Sequence, residues 1–297
     1  MSLRSSAEPA GPGVIAVVGG AIMDLVYEVE RMPEQDESLD ALSLSYKPGG
    51  KGSNIAVAIS RGQRYKSKVP QDQVGGAASK VEQQDKNEPE VKVFLSTAIG
   101  KDHFGDVLIK SLKENGVDTS GIRVLDERQT GTCAVFVEKV SRNCRDIGFP
   151  GANTHWVPEH QSSVECLAHG NKPDLIVTCL ENSRTVVEDV LATAHRNGVD
   201  TLLNPSPAYY LVDTTYKNVT HLILNEVEVA ELAGVPKDLP TEDAMLEACT
   251  YFMERGVKHV VITLGARGAF YATGGAHGLV EAATVPDEDI KDTTGAG

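Results

Sequence analysis

The second half of the chain repeats one pattern, in which a short apolar run alternates with a segment whose apolar residues recur at helical spacing. The apolar runs lie at 175–177, 201–203, 221–224 and 259–263. Short buried strands that alternate with helices are typical of βαβ units, and the strands of such units form a parallel sheet. The β-branched run Val14–Val18 has the same character. We therefore predict one α/β domain over residues 14–297 with a central, mostly parallel sheet.

Charge and composition exclude several classes of protein. The chain has 297 residues, a formal net charge of −14 and 41% hydrophobic residues. An acidic surface argues against a nucleic-acid partner and against an anionic membrane surface. No apolar run approaches the ~20 residues of a membrane span. The five cysteines form no C-x-x-C pair, which favours a reduced, cytoplasmic protein, with nuclear presence left open.

Two segments are predicted to lie outside the packed domain. Residues 1–13 lack the apolar core of a secretion signal, and we predict a disordered leader there. Residues 63–90 are rich in Lys, Gln, Asp and Gly and poor in apolar residues. Such a composition cannot bury enough apolar surface to order itself, so we predict a flexible insertion.

Other segments predict a small separate sheet. Leu39–Tyr46 alternates apolar and polar residues, as a half-exposed antiparallel strand does, and Pro48 then ends it. Thr132–Val140 and Ile147–Phe149 have the pattern of a hairpin. We predict that strands at about 38–48 and 130–149 form a β-sheet lid over a binding site.

Asp24 is predicted in the turn after the first strand, at the carboxyl edge of the sheet. Ligands of open α/β sheets bind at that edge. The alternative is that Asp24 only turns the chain. The preceding Gly19-Gly20 is not part of a G-x-G-x-x-G sequence, which disfavours a dinucleotide-dependent oxidoreductase.

A glycine-rich loop follows the predicted lid strand and consists of Gly49, Gly50, Lys51, Gly52, Ser53 and Asn54. The glycines let the backbone approach a ligand closely, and Lys51 and Asn54 can donate to hydroxyl groups. We predict that Ser53 or Asn54 caps a helix that begins here. The loop is not a Walker A loop, because Lys51 is followed by glycine and not by Ser or Thr. A generic glycine turn is the alternative.

Two further candidates lie at the ends of later strands. Asn225 and Glu228 stand three apart at a predicted helix start, where they could hold a hydrated Mg²⁺ beside phosphates or only compensate the helix dipole. A glycine-bordered turn at a strand's carboxyl end can accommodate a nucleotide, or it can be a tight hairpin. Its residues are Thr263, Leu264, Gly265, Ala266, Arg267 and Gly268.

The tail of the sequence is the glycine-rich run Asp292-Thr293-Thr294-Gly295-Ala296-Gly297. Backbone N–H groups of a glycine-rich turn that leads into a helix form a pocket for phosphate oxygens. The alternative is a tail without a function.

The Gly49–Asn54 loop, the Asn225–Glu228 pair and this tail resemble, in order and spacing, the ribokinase-type (pfkB) carbohydrate kinases. The resemblance implies a three-layer α/β/α fold with a small β-sheet lid. It implies ATP-dependent phosphorylation of a sugar's primary hydroxyl, with D-ribose as the first candidate. The implied cofactors are ATP, Mg²⁺ and a monovalent cation such as K⁺. A second copy of the chain is a candidate partner, which would form a homodimer through the lid.

The resemblance also assigns roles to residues. Those implied to bind the sugar are Asp24, the loop Gly49–Asn54 and Glu181. Asn225 and the turn Thr263–Gly268 are implied to bind the nucleotide, and Glu228 to bind Mg²⁺ through water. Asp292 and Thr294 are implied to bind the monovalent cation, and the amides of Gly295, Ala296 and Gly297 to form an anion hole.

Two departures from the family pattern bear on activity. The family places an aspartate, the catalytic base, directly after the position of Gly297, and then helices that cover the sheet; the sequence stops before them. We therefore expect a truncated chain that transfers no phosphate, or else a sugar- or nucleotide-binding protein without catalysis. Ribokinases usually carry Asn at the position of Ile22, which weakens the case for ribose and leaves another sugar, a sugar acid or a nucleoside open.

Overall fold

The structure is a computed structural model and describes residues 13–66, 91–141, 143–159 and 163–283. Its helices are α1 (Lys51–Lys66), α2 (His103–Glu114), α3 (Arg184–Arg196), α4 (Asp213–Tyr216), α5 (Glu226–Ala233) and α6 (Glu242–Met253). Its strands are β1 (Val14–Val18), β2 (Ile22–Val29), β3 (Ser43–Gly49), β4 (Lys92–Gly100), β5 (Ile122–Leu125), β6 (Gly131–Glu138), β7 (Cys144–Phe149), β8 (Leu175–Cys179), β9 (Asp200–Asn204), β10 (His221–Asn225), β11 (His259–Thr263), β12 (Ala269–Thr273) and β13 (His277–Val280).

The central sheet has nine strands in the order β13-β12-β11-β10-β9-β8-β1-β4-β5. Every pair from β5 to β11 is parallel, and β12 and β13 are antiparallel additions at one edge. The predicted central, mostly parallel sheet is confirmed. The strand order reverses between β1 and β8, and crevices at such a reversal are where open α/β sheets bind ligands.

Helices cover both faces of the sheet where β1 lies. Val17 packs with residues of α1 and α2, such as Ala56 and Leu112. Its neighbour Ala16 points to the opposite face and packs with Val190 of α3. Successive side chains of a strand alternate between the faces, so this continuous apolar run is buried on both sides. The three-layer α/β/α arrangement is confirmed here.

The other end of the sheet is covered on one face by the described residues. Leu222, Leu224 and neighbouring strand residues pack against α3, α5 and α6. On the opposite face Ile223, Val261 and Tyr271 lie side by side in register. Ile223 and Val261 are half-buried there, and Tyr271 is exposed. An apolar row across β10, β11 and β12 is therefore left partly open to solvent within the described ranges.

A four-stranded sheet, in the order β3-β2-β6-β7, stands apart from the central sheet. It supplies the small sheet that the sequence predicts. One prediction was wrong: Asp24 does not lie in a turn but inside β2, between Ile22 and Val29. Met23 and Leu25 alternate with Asp24, and Met23 is buried against Leu108 of α2, so packing on one face makes this segment a strand.

The bounds of the small sheet also differ from the prediction. Strand β3 runs from Ser43 through Pro48 to Gly49, whereas the sequence placed the strand at Leu39–Tyr46 and ended it at Pro48. Because β3 is an edge strand, the missing N–H of Pro48 breaks no inner ladder. The predicted hairpin is present as β6 and β7.

Several predictions fall on residues outside the described ranges. These are the disordered leader, apart from Gly13, most of the insertion at 63–90, and the whole tail with Asp292, Thr294, Gly295, Ala296 and Gly297. Among the residues that are described, no helix is long and apolar enough to span a membrane.

Candidate active site

The candidate sugar-binding residues meet at the carboxyl end of β1 and β8. Gly20 follows β1, Glu181 follows β8, and the Gly49–Asn54 loop opens α1. The backbone N–H of Ser53 donates to the carbonyl of Gly20 at 3.0 Å. The carboxylate of Glu181 accepts N–H groups from Lys51 and Gly52. Three segments that are remote in sequence therefore meet at the point where the strand order reverses, which is where open α/β sheets have their ligand-binding crevice.

Glu181 caps helix α1, which corrects the prediction that Ser53 or Asn54 does so. The helix begins at Lys51, and its first amides, Lys51 N–H and Gly52 N–H, lie 2.7 and 3.3 Å from Oε2 of Glu181. The first amides of a helix have no partner inside the helix and carry a partial positive charge. A carboxylate from a distant strand end satisfies them, so a local cap is not needed.

Burial raises the pKa of Glu181 above its ordinary value. The amides of Gly52 and Lys51 and the charge of Lys51 act in the opposite direction, because they stabilise the carboxylate. Burial is the larger effect. The carboxyl group of Glu181 is therefore largely buried from solvent and contacts the N-terminus of α1.

Asp24 reaches the same crevice from the small sheet. Its pKa is raised to about 6, first by burial and then by the negative charges of Glu181 and Asp146. The ammonium groups of Lys47 and Lys51 oppose that shift. Two carboxyl groups from different sheets, Asp24 and Glu181, thus lie near enough to raise the cost of ionising both.

The glycines of the loop are required by close contacts. A Cβ at Gly49 would overlap the carboxylate of Asp24. Gly50 has a φ of +90°, and a Cβ there would lie 2.7 Å from the carbonyl oxygen of Gly20. Larger residues at these two positions would push the loop away from β1 and β2.

The remaining loop residues differ in what they can contact. Ser53 is buried and its hydroxyl lies 3.5 Å from the carbonyl oxygen of Gly20, so it supports the crevice from behind. Lys51 is half-buried and Asn54 is exposed. Ile22 begins β2 on the same face as Asp24, because residues two apart in a strand share a face.

The Asn225–Glu228 pair forms a capping box at the start of α5. The side chain of Asn225 accepts the N–H of Glu228, and the carboxylate of Glu228 accepts the N–H of Asn225, both at 2.9 Å. The reciprocal bonds explain the spacing of the pair through helix capping. Glu228 is only 6% exposed, and its carboxylate contacts Asn225, the last residue of β10.

The Thr263–Gly268 turn follows β11 and contains a short 3₁₀ segment at Gly265–Arg267. The N–H of Leu264 donates to the carbonyl of Gly268 at 2.8 Å, which closes the turn. The guanidinium of Arg267 donates to Glu226 at 2.5 Å and to the carbonyl of Leu239 at 2.9 Å. Arg267 therefore ties the turn to the start of α5.

Sugar-binding and nucleotide-binding candidates lie along one edge of the sheet. Glu181 follows β8 and Asn225 ends β10, with β9 between them. Neighbouring strands are about 4.8 Å apart, so these ends are separated by roughly 10 Å. The tail predicted to bind phosphate is outside the described residues. No group of three His, Cys, Asp or Glu side chains that could hold a metal ion occurs in the described part of the chain.

One residue at the base of the crevice was not predicted from the sequence. Asn153 is fully buried and hydrogen-bonds the backbone of Ala21, which directly precedes β2. The local sequence around it, Gly151-Ala152-Asn153, matches none of the patterns that predict a binding residue. Only the packing of remote segments identifies it.

Comparison with known proteins agrees with this architecture. The model of the pfkB family of carbohydrate kinases matches residues 14–297. The deoxyribokinase of Salmonella typhi is 30% identical over 285 residues, which cover 95% of this chain and 81% of the relative. The ribokinase of Schizosaccharomyces pombe is 30% identical over 293 residues, with the same two shares of 95% and 81%.

Solved structures show the same fold. Arabidopsis thaliana ribokinase complexed with ribose and ATP has a TM-score of 0.76 at 22% identity, over 97% of this chain and 82% of that one. The ribokinase of Giardia lamblia has a TM-score of 0.72 at 21% identity, over 93% and 76% of the two chains.

Proposed function

The chain belongs to the pfkB family of carbohydrate kinases, and from this membership we propose that it carries the substrate sites of a kinase that uses ATP to phosphorylate the primary hydroxyl of a sugar, with D-ribose as the first candidate. The observation that carries the proposal is the convergence of Asp24, Glu181 and the Gly49–Asn54 loop in one crevice. Carboxylates and a lysine side by side suit a polyhydroxylated ligand, because they accept and donate hydrogen bonds to neighbouring hydroxyls.

The sugar lies in the crevice between the two sheets. Asp24, in the small sheet, accepts hydrogen bonds from sugar hydroxyls. Lys51 and Asn54, at the start of α1, donate hydrogen bonds to them. Glu181 accepts from the floor of the crevice while it holds the loop in place. The small sheet serves as a lid that excludes water during transfer.

ATP lies along the same edge, beyond β9. Asn225 and the Thr263–Gly268 turn contact the nucleotide, and Glu228 holds Mg²⁺ through water. The donor chemistry fits, because Mg²⁺ retains several waters and is bound through one or two carboxylates together with substrate phosphates. Bound there, Mg²⁺ neutralises phosphate charge during transfer.

The tail completes the phosphate site in this proposal. Amides of Gly295, Ala296 and Gly297 stabilise the transferring phosphoryl group, and Asp292 and Thr294 bind a monovalent cation such as K⁺. These roles rest on the family resemblance of the tail, since its residues lie outside the described ranges.

The choice of sugar depends on Ile22. An apolar side chain beside Asp24 forms no hydrogen bond with a hydroxyl. A sugar that places a hydroxyl there would therefore leave that hydroxyl without a hydrogen-bond partner. One of the similar proteins is a deoxyribokinase and another a ribokinase. Ribose and 2-deoxyribose are therefore the first two acceptors to compare, ahead of other sugars, sugar acids and nucleosides.

The oligomeric state and the cellular location are also part of the proposal. Tyr46, Ile147 and Phe149 of the small sheet are 57%, 70% and 50% exposed. Apolar side chains exposed together favour contact with another protein surface, and we propose a homodimer through this sheet. We also propose a cytoplasmic protein.

The sugar site is tested by titration calorimetry of the chain with D-ribose, 2-deoxy-D-ribose, D-fructose and a nucleoside at about pH 8, where Asp24 is ionised. Binding is measured because all the proposed sugar ligands lie among the described residues. We expect binding of a pentose, and a loss of about 10–100-fold in Asp24→Asn, because charge-assisted hydrogen bonds are removed. Asp189→Asn on the exposed side of α3 is the matched control and should bind normally. Absence of binding to every sugar, or equal affinity in both variants, would contradict the proposal.

A further inference from the structure

The side chain of Asn153 uses its full hydrogen-bonding capacity in the buried base of the crevice. Its Nδ2 donates to the carbonyls of Ala21 at 3.1 Å and Pro150 at 2.8 Å. Its Oδ1 accepts from the N–H of Ala21 and from the hydroxyl of Thr97, both at 2.9 Å. A side-chain amide has two donor and about two acceptor positions, so all of them are filled.

The partners of Asn153 lie at the places where the chain passes between the two sheets. Ala21 directly precedes β2, where the chain enters the small sheet, and Pro150 directly follows β7, where the chain leaves it. Thr97 lies within β4 of the central sheet and is fully buried. One amide therefore joins the entry and the exit of the small sheet to an inner strand of the central sheet.

A third passage between the sheets also contacts this amide. At Gly131, the first residue of β6, a Cβ would lie 2.6 Å from Nδ2 of Asn153. The missing side chain lets β6 begin directly against the amide. The start of β6 is therefore in direct contact with the same group.

The two candidate sugar-binding carboxyl groups belong to different sheets. Asp24 lies three residues after Ala21 in the small sheet, and Glu181 follows β8 of the central sheet. Their separation depends on how the small sheet is attached. Among the described residues, none of the four hydrogen bonds of Asn153 goes to a proposed sugar ligand, so its effect on the sugar is indirect, through the segments that it holds.

We propose that Asn153 is a positioning residue that sets the distance between Asp24 and Glu181. It does so by fixing the segments where the chain enters and leaves the small sheet, at Ala21 and Pro150, to β4. The proposal rests on the proposed function where it concerns sugar binding. Where it concerns the attachment of the small sheet, it stands on the hydrogen bonds alone.

The variant Asn153→Asp tests the proposal because it keeps the shape of the side chain. Its carboxylate still accepts from Ala21 and Thr97, but it places negative charge against the carbonyls of Ala21 and Pro150. Thr201→Val in β9 is the matched control. The buried Thr201 hydroxyl donates to the carbonyl of Asn218 at 2.8 Å and accepts the N–H of Thr220 at 2.9 Å, far from the small sheet.

Three measurements separate positioning from a general loss of stability. We expect Asn153→Asp to weaken sugar binding by about tenfold or more, while nucleotide binding changes by less than about twofold, because Asn225 and the Thr263–Gly268 turn lie in the central sheet. The pH profile of sugar binding should shift, since the pKa of Asp24 depends on its distance from Glu181. Amide hydrogen exchange should accelerate about tenfold in β2, β3, β6 and β7 and stay unchanged in β9 to β11.

Thr201→Val should lower the melting temperature and leave sugar affinity and its pH profile unchanged. The proposal is overturned if both variants affect sugar binding alike, or if exchange in Asn153→Asp accelerates equally in both sheets. If the wild-type chain binds no sugar, the proposed function fails, and the exchange measurement alone decides whether Asn153 fixes the small sheet. Should Asn153→Asp not fold, Asn153→Ser, which keeps one donor and leaves room for water, is measured in the same way.

Discussion

Oε2 of Glu181 lies 2.7 Å from the backbone nitrogen of Lys51, so a carboxylate at the end of β8 caps a helix that begins 130 residues earlier in the chain. The contact joins the two halves of the central sheet on either side of the strand reversal. It also gives Glu181 a structural role that is separable from a role in binding sugar.

Glu181→Gln and Glu181→Ala should separate these two roles. Gln retains an oxygen that accepts from Lys51, and it should change the free energy of unfolding by less than ~1 kcal/mol at about pH 5. Ala leaves the amides of Lys51 and Gly52 without their partner and should cost about 1–3 kcal/mol. Urea denaturation followed by circular dichroism measures both. Equal stability of the two variants would show that the contact does not hold the helix start.

The stability difference between wild type and Glu181→Gln should also depend on pH. The pKa of Glu181 is raised in the folded chain, so the folded state holds the proton more tightly than the unfolded state. That contribution is fully present below the ordinary pKa of 4.5 and is lost as pH rises through the raised pKa. Denaturation at a series of pH values should therefore favour Gln increasingly toward neutral pH. A difference independent of pH would contradict the assigned shift.

The affinity for sugar should decrease when the pH is lowered beneath about 6. The pKa of Asp24 is about 6, and its protonated form is a weaker hydrogen-bond acceptor for sugar hydroxyls. Calorimetric titrations between about pH 5 and pH 8 should show roughly a tenfold loss for each pH unit well below that pKa. In Asp24→Asn the remaining affinity should lose this part of the pH dependence. A wild-type profile that is flat across this range would mean that the carboxylate of Asp24 does not bind the sugar.

Much of the fold could be predicted because its signals are local. Val14–Val18 and His259–Thr263 were predicted from their β-branched runs, and both are strands of the central sheet. Strand β2 was missed although its signal was present, since Met23 and Leu25 alternate with Asp24. The glycines after β1 suggested a turn, and the pairing of β2 with two strands overrode that local preference.

Candidate site residues could be named from the sequence where they form short motifs or match the family pattern, as Asp24 and Glu181 do. The Gly49–Asn54 loop and the Asn225–Glu228 pair are short motifs, and their roles in binding stay predictions. Asn153 could not be named in this way, because three of its four hydrogen bonds reach Ala21 and Thr97, which are 132 and 56 residues away. No window along the sequence contains these groups together, so only the folded chain brings them into contact.

Glu228→Gln should separate helix capping from metal binding. The amide oxygen of Gln can still accept the N–H of Asn225, so α5 should keep its stability to within ~0.5 kcal/mol. Loss of the charge should raise the Mg²⁺ concentration needed for tight ATP binding by several-fold. Titrations of ATP at a series of Mg²⁺ concentrations measure this. Glu231→Gln on the same helix is the control, and an unchanged Mg²⁺ dependence in Glu228→Gln would exclude the metal role.

Ile22→Asn should change the preference between pentoses. The new amide lies on the face of β2 that carries Asp24 and can pair with a sugar hydroxyl that Ile22 leaves unpaired. The ratio of ribose affinity to 2-deoxyribose affinity should rise by about tenfold, which corresponds to one hydrogen bond of ~1.4 kcal/mol. Ile22→Val keeps an apolar group and should preserve the wild-type ratio. An unchanged ratio in Ile22→Asn would place Ile22 away from the hydroxyl that distinguishes the two sugars.

Asn182 directly follows Glu181 and is buried to 4% exposure, yet neither its amide nitrogen nor its amide oxygen has a hydrogen-bond partner within the described ranges. A buried polar group without a partner costs about 1–3 kcal/mol relative to an apolar group of similar shape. Asn182→Leu should therefore raise the free energy of unfolding by ~1 kcal/mol or more, whereas Asn182→Asp should lower it by burying a charge. Urea denaturation of both variants tests this. If Asn182→Leu is destabilised instead, a buried water satisfies the amide, and the side chain supports the crevice through that water.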